Sequence, residues 1–341
     1  MKTDIKSFTK KELESYLEGL GEKKFRARQI FNWIHKGAES FEEMTDLSKD
    51  LREKLNINAA MKSLQILTVQ HSQKDGTRKY LFGLEDGNSI ESVFMKYKFG
   101  NTVCISSQAG CKMKCSFCAS AMNGLQRNLT AGEMADQILA IEKDTGEKVG
   151  NIVVMGTGEP FDNYKNLTDF INIVHDKDGL FIGLRSITVS TCGLVPEMLD
   201  FAKDFPQVNL AVSLHAPNDT IRNKIMPISR KYSMDELLKT CVKHIEVTGR
   251  RMTFEYALIQ GVNDSDGCAG ELASKLKGIN CHVNLIPLNR VAETGLSGTE
   301  RTLAERFREI LERKGIQATI RRELGSDIDA ACGQLRLKNK G

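Results

Sequence analysis

Three cysteines fall within one short stretch, Gly110-Cys111-Lys112-Met113-Lys114-Cys115-Ser116-Phe117-Cys118, in a C-x3-C-x2-C spacing. Thiolates so placed on a loop can each bind one iron of a four-iron cluster, and the missing fourth ligand leaves one iron open to a small molecule. Structural zinc would want four ligands, usually in two separated pairs, and no second pair follows at finger-like spacing. A disulfide framework fits poorly as well, because the nine cysteines are odd in number and scattered along 341 residues without a secretory leader. The spacing therefore predicts an iron–sulfur loop with Cys111, Cys115 and Cys118 as ligands.

Such a loop needs a scaffold. Thr102–Ser106 is an apolar run just before it, and five more follow at Asn151–Met155, Ser186–Thr191, Val208–His215, Arg251–Ile259 and Cys281–Leu288. Stretches with helical periodicity lie between them, Thr130–Lys143, Asn166–His175, Pro196–Lys203, Ser233–Val247 and Gly270–Leu276, with Leu303–Arg313 after the last. Thr130-x-x-Glu133 and Ser233-x-x-Glu236 read as capping boxes that open two of these helices. Six strand–helix repeats with short connections require a parallel sheet with helices outside it. Six is short of the eight that close a full barrel, so the expected fold is α/β, an open, partial (β/α)6 barrel.

Ahead of the barrel the pattern differs. Lys11–Leu20, Phe25–His35 and Leu47–Leu55 read as helices, and Leu64–Val69, Arg78–Leu84 and Ser89–Met95 as short strands separated by the turn signals Asp75-Gly76 and Asp86-Gly87. The expected organisation is a helical module over residues 1–60, a small antiparallel β linker over 61–97, the core barrel over 98–335 and a short basic tail over 336–341.

Parallel α/β folds place their sites at the carboxyl ends of the strands, where this chain puts its cysteine loop. The second run leads into Met155-Gly156-Thr157-Gly158-Glu159-Pro160, whose glycines permit close backbone approach and whose Glu159 can accept hydrogen bonds from an ammonium group. The third ends in Ser190, the fourth in Ser213-Leu214-His215 and the sixth in Leu288-Asn289. Each alone reads as a cap or turn; together on one rim they read as a site.

These motifs, with Gln108-x-Gly110-Cys111, Val283-Asn284-Leu285-Ile286-Pro287 and Ile328-Asp329-Ala330-Ala331-Cys332-Gly333-Gln334-Leu335, resemble the radical S-adenosylmethionine (SAM) superfamily, and within it the RlmN/Cfr group of bacterial RNA adenine methyltransferases. The resemblance covers nearly the whole chain. One position departs: Thr157 stands where the group commonly has methionine before Gly158-Glu159-Pro160. The resemblance implies a barrel of radical SAM type and one 4Fe–4S cluster on Cys111, Cys115 and Cys118. It implies SAM bound at the open iron and by Gly158, Glu159, Ser190, Ser213, Leu214, His215 and Asn289. It implies methylation at C2 of one adenine in 23S ribosomal RNA and one in a subset of transfer RNAs, with two SAM used per turnover. Cys332 would become S-methylcysteine, a 5′-deoxyadenosyl radical would activate that methyl group, Glu91 would accept the C2 proton, and Cys104 would resolve the protein–RNA adduct through a transient disulfide with Cys332. An external electron donor such as flavodoxin or ferredoxin follows from the same resemblance. Read without it, Glu91 is a solvent-facing strand charge and Cys104 and Cys332 are small buried thiols. Cys192, Cys241, Cys268 and Cys281 match no position of the group and read as packing residues.

Composition is compatible with this. Hydrophobic content of 40% and charged content of 27% are those of a soluble globular protein, and no 18 apolar residues run together, so a cytoplasmic monomer with no membrane contact is expected. A net charge of +4 is too mild to identify a nucleic-acid partner. Lys23, Lys24, Arg26, Arg28 and Lys36 make the first helices basic, which suits either a solvated face or contact with RNA phosphates; Arg321 and Arg322 are further candidates for RNA contact. Two other functions remain open: a C8 methyltransferase of 23S ribosomal RNA that confers antibiotic resistance, and a non-catalytic iron–sulfur RNA-binding redox sensor. Pro160 and Pro287 favour C2 over C8 by resemblance, and the sensor reading leaves Cys104 and Cys332 without a role.

Overall fold

A computed structural model describes residues 2–288, 295–322, 324–325 and 327–328. Ten strands form one sheet in which each pairs with the strand before it in sequence. The first three are a meander, β1 (Gln65–His71), β2 (Arg78–Gly83) and β3 (Ser89–Tyr97), antiparallel to one another. β3 also pairs antiparallel with β4 (Gly100–Cys104), the first barrel strand, so the meander extends the barrel sheet. From β4 every pairing is parallel, through β5 (Asn151–Val154), β6 (Ile187–Thr191), β7 (Asn209–Ser213), β8 (Met252–Leu258), β9 (Cys281–Pro287) and β10 (Ala318–Ile320). The open barrel thus has a seventh parallel strand beyond the six expected. β10 has only three residues, too few for a period of two to show in sequence.

The amino-terminal helices are α1 (Lys10–Gly19), α2 (Phe25–His35) and α3 (Lys49–Asn58). The barrel helices are α4 (Ala131–Thr145), α5 (Tyr164–His175), α6 (Val195–Asp204), α7 (Asp219–Ile225), α8 (Met234–Thr248), α9 (Asp266–Leu276) and α10 (Arg301–Arg313). The reciprocal box at Thr130 and Glu133 is formed; at α8 the Ser233 hydroxyl caps the Glu236 N–H. α7 was not expected, since seven residues rich in Asp, Arg, Asn and Lys give little periodicity.

Side chains alternate across each strand. Val189, Val212, Phe254, Tyr256, Val283 and Leu285 are fully buried in the main hydrophobic core. Ser213, Glu255, Asn284 and Thr319 lie opposite one another in register across β7 to β10 and form a polar row on the other face. A parallel sheet buried on both faces usually reads as unbroken apolar runs; the polar row here marks an interior made to hold something other than side chains.

Past β10 the chain turns back over this interior. Leu324 packs against Val93, Met95 and Cys104, and Gly325 N donates to Asp75 Oδ2 at 2.9 Å. Asp327 accepts from the Ser72 hydroxyl at 2.7 Å and from Gln73 N at 2.8 Å. The last strand of the sheet is thereby tied to its first hairpin.

The amino-terminal module is fixed to the barrel by a buried ion pair between Lys6 and Asp136 of α4, whose side chains are 6% and 7% exposed. Asp136 Oδ2 also accepts from Leu64 N at 2.6 Å. Removing one member of a buried pair strands the other charge, at a cost of about 3–5 kcal/mol. Asp136→Ala is accordingly expected to lower the urea midpoint by that equivalent; an unchanged midpoint would show that Lys6 finds water at little cost.

Candidate functional site

Directly after β4 the chain forms a small hairpin, Gln108–Gly110 paired with Leu125–Asn128, and the three cysteines lie in the span between its strands. Gly110 has a φ of 78°, and a Cβ there would run into the Gly124 carbonyl oxygen that accepts Cys111 N at 3.1 Å. Ser116 N donates to Ile225 O at the end of α7, at 2.9 Å, and Lys112 Nζ pairs with Asp162 at 2.6 Å. The loop is therefore held by backbone on one side and by a helix end on the other.

Cys111, Cys115 and Cys118 line one cavity of about 160 Å³ together with Gly158, Glu159, Ser190, Ser213 and His215. Among the described residues no three Cys, His, Asp or Glu side chains converge on a point where a single metal ion could sit. Three thiols on one short loop suit a polynuclear cluster with an open iron. Burial pushes the Cys111 thiol up to about 12 and raises Cys115 as well, with Cys118 adding to both. Such thiols become thiolates only when a bound cation compensates them.

Glu159 is 3% exposed and ion-pairs with no cation among the described residues. Its carboxylate accepts Cys192 N at 2.7 Å and Phe161 N at 3.0 Å, and its own N–H donates to Gln108 Oε1 at 2.8 Å. Burial raises its pKa, and those hydrogen bonds offset the rise. A fixed buried carboxylate facing a cavity is a receptor for an ammonium group. Gly158, at φ 110°, lets the backbone pass Gln108, whose Cβ would lie 2.6 Å from any side chain added there. Thr157 is buried; its amide donates to the Ser106 hydroxyl at 2.9 Å, and its own hydroxyl lies 3.5 Å from that of Ser120 behind the cysteine loop.

His215 has a left-handed backbone, φ 56°, and its ring meets Phe117 of the cysteine loop edge-on at 4.9 Å. Its Nδ1 accepts from Ala257 N at 2.8 Å, which leaves the proton on Nε2. Burial lowers its pKa to about 3, so it is a neutral donor at working pH. Leu214 is fully buried in the core and does not line the cavity; its carbonyl accepts from Arg222 Nε at 3.2 Å.

Glu91 and Cys104 lie beside this cavity. Cys104 is opposite Val93 on β3, which places Glu91, two residues from Val93, on the same face of the sheet. Met155 joins the two areas, since it lines the cavity and packs on the Val93, Met95 and Cys104 cluster. Glu91 is buried, not solvent-facing, and pairs with Lys79 at 2.9 Å. Asn289 and Cys332 lie outside the described residues. All the described cysteines are free thiols.

Three residues of the site were not anticipated. Cys192 lines the cavity, and its backbone N–H donates to the Glu159 carboxylate, so packing is not its whole role. Arg321, taken from sequence only as a possible RNA contact, also lines the cavity. Glu255 is 6% exposed in β8, accepts from Asn284 Nδ2 at 2.9 Å and is kept charged in part by Arg321; burial raises its pKa. A lone acidic residue inside the apolar run Arg251–Ile259 was the available signal.

Of the basic residues on the first helices, Lys24 pairs with Glu18 at 3.3 Å, Arg28 pairs with Asp178 at 2.9 Å, and Arg26 lies over the Phe25 ring at 4.8 Å. No helix of the described residues is long and apolar enough to cross a membrane.

A family model described as the radical SAM superfamily matches residues 105–267, and one described as the ribosomal RNA large subunit methyltransferase N-terminal domain matches residues 3–61. The chain is 55% identical over 337 residues to the probable dual-specificity RNA methyltransferase RlmN of Lachnospira eligens, covering 98% of this chain and 96% of that protein. It is 53% identical over 338 residues to the protein of the same name from Alkaliphilus oremlandii, covering 99% and 98%. The crystal structure of a radical SAM methyltransferase from Sphaerobacter thermophilus superposes with a TM-score of 0.93 at 46% identity, covering 98% of this chain and 99% of that one.

Proposed function

The chain belongs to the RlmN family of radical SAM RNA methyltransferases, and from that premise we propose that it methylates C2 of one adenine in 23S ribosomal RNA and of one adenine in a subset of transfer RNAs. The observation that supports this most is the shared cavity, in which three cysteine thiols face a buried carboxylate that ion-pairs with no cation among the described residues, with Glu91 and Cys104 on the adjoining sheet face. Bound there, a 4Fe–4S cluster and SAM supply the one-electron chemistry that an electron-poor ring carbon demands.

Cys111, Cys115 and Cys118 hold the cluster. Glu159 takes the amino group of SAM, and the strand ends at Gly158, Ser190, Ser213 and His215, with Asn289, orient the rest. Cys332 bears the methyl carbon as S-methylcysteine and becomes joined through it to the base. Glu91 takes the proton from C2. The Cys104 thiolate then attacks the Cys332 sulfur; the sulfur–sulfur bond forms as the sulfur–carbon bond breaks, and the released carbon takes up a proton to become the methyl group. An external donor feeds the cofactors one electron at a time, and two electrons and two protons return the Cys104–Cys332 disulfide to thiols. The basic first helices bind RNA phosphates, and the enzyme works as a cytoplasmic monomer.

Anaerobic reconstitution with iron and sulfide, followed by SAM, reductant and a ribosomal RNA fragment, is expected to yield 5′-deoxyadenosine and 2-methyladenosine. Mass spectrometry that finds the 8-methyl isomer would replace the C2 assignment, and the absence of both products would refute it.

A further inference from the structure

Arg222 of α7 is the largest side chain in the described protein with no solvent exposure. Its guanidinium hydrogen-bonds backbone alone among the described residues. Nη2 donates to Cys192 O at 2.7 Å and Ser213 O at 3.2 Å, and Nε donates to Leu214 O at 3.2 Å. Burial lowers its pKa; of the groups that would raise it when ionised, Cys192 and Cys115 come ahead of Asp219, one turn earlier on the same helix. An Asp219 oxygen is already engaged by Met234 N at 2.8 Å. Buried cations are ordinarily matched by an anion, because an unmatched one costs several kcal/mol. Among the described residues this one is matched only by carbonyls.

The helix that bears it is bonded to the cysteine loop, since Ile225 O accepts Ser116 N at 2.9 Å. An assembly of three thiolates on a four-iron core has a net negative charge that one-electron reduction increases. We propose that Arg222 is the fixed counter-cation of the iron–sulfur site and that its charge, more than its shape, raises the cluster's reduction potential. Fixed charge and burial around a cluster are among the main determinants of that potential. The inference rests on the reading of Cys111, Cys115 and Cys118 as the ligands. The same guanidinium steadies the rim by holding the carbonyls at Cys192, Ser213 and Leu214.

The test compares the wild type with Arg222→Lys, Arg222→Gln and Arg222→Met, each reconstituted anaerobically, assayed for iron and sulfide and checked for fold by circular dichroism. Each is then titrated with dithionite without SAM, the reduced cluster being followed by electron paramagnetic resonance. Arg222→Lys is expected to titrate close to the wild type. In the neutral variants the equilibrium constant for reduction is expected to fall at least tenfold, about 59 mV for a one-electron couple. A neutral variant that folds but retains no cluster, while Arg222→Lys retains it, also supports the proposal. Neutral variants with a full cluster at the wild-type potential would overturn it. So would an Arg222→Lys protein that shifts as far as they do or loses its cluster with them, because the guanidinium's shape would then be what matters. Failure of the wild type itself to take up a four-iron cluster would remove the premise, and the inference with it.

Discussion

Cys104→Ala is expected to leave the protein covalently joined to its RNA, with less than one turnover, whereas Cys332→Ala forms no adduct at all. The difference follows from what the proposed mechanism has each thiol do. Cys332 supplies the atom that bonds to the base through the transferred carbon, so without it nothing joins protein to RNA. Cys104 enters only at release, when a sulfur nucleophile must displace the carbon from the Cys332 sulfur. Its position suits that role: it is buried at the carboxyl end of β4, on the Glu91 face, with Met155 between it and the cavity. Because Cys104 is small and packs against Val93 and Met95, alanine removes one sulfur atom and little else. Denaturing gels with labelled RNA would show a shifted band for Cys104→Ala alone. Identical behaviour of the two variants would refute the division of labour.

Glu91→Gln is expected to slow release from the adduct about 10²- to 10⁴-fold, the usual contribution of a positioned acid or base. The adduct should therefore build up here as well, but decay instead of persisting. Lys79 complicates the substitution, because its ammonium lies 2.9 Å from the carboxylate and both side chains are more than nine-tenths buried. An amide at 91 strands that charge, and about 3–5 kcal/mol of stability goes with it. The double variant Lys79→Met with Glu91→Gln removes both charges and should recover much of the fold without recovering release. A Glu91→Gln protein that resolves its adduct at the wild-type rate would place the proton acceptor elsewhere.

Much of this was legible in the sequence because the relevant signals are local. The cysteine spacing, the glycines before Glu159 and the capping residue of α4 each depend on a few neighbouring positions. The extension of the barrel by β1 to β3 was not legible, since hairpin turns specify that strands pair with each other and not what lies beyond the outer one. Arg222 was hidden for a related reason. Flanked by Asp219, Asn223 and Lys224 it looks like a solvated helix position, and only the packing of α7 against the ends of β6 and β7 buries it. Glu255 was visible as an interruption of an apolar run, but its meaning depends on the register that sets it beside Ser213 and Asn284.

The contacts of Asp327 with Ser72 and Gln73, and of Gly325 with Asp75, join positions 255, 254 and 250 residues apart. On the ribosome that made it, this chain exposes its first hairpin long before the partner of that hairpin exists. Loop closure over such separations comes late in folding. The three cysteines proposed to hold a cluster have been synthesised by then, whereas Cys332 follows Cys118 by more than two hundred residues. On the proposed reading, a growing polypeptide presents its metal-binding loop well before the thiol that works with the metal, so the order of synthesis keeps the two apart until the chain closes over its first hairpin.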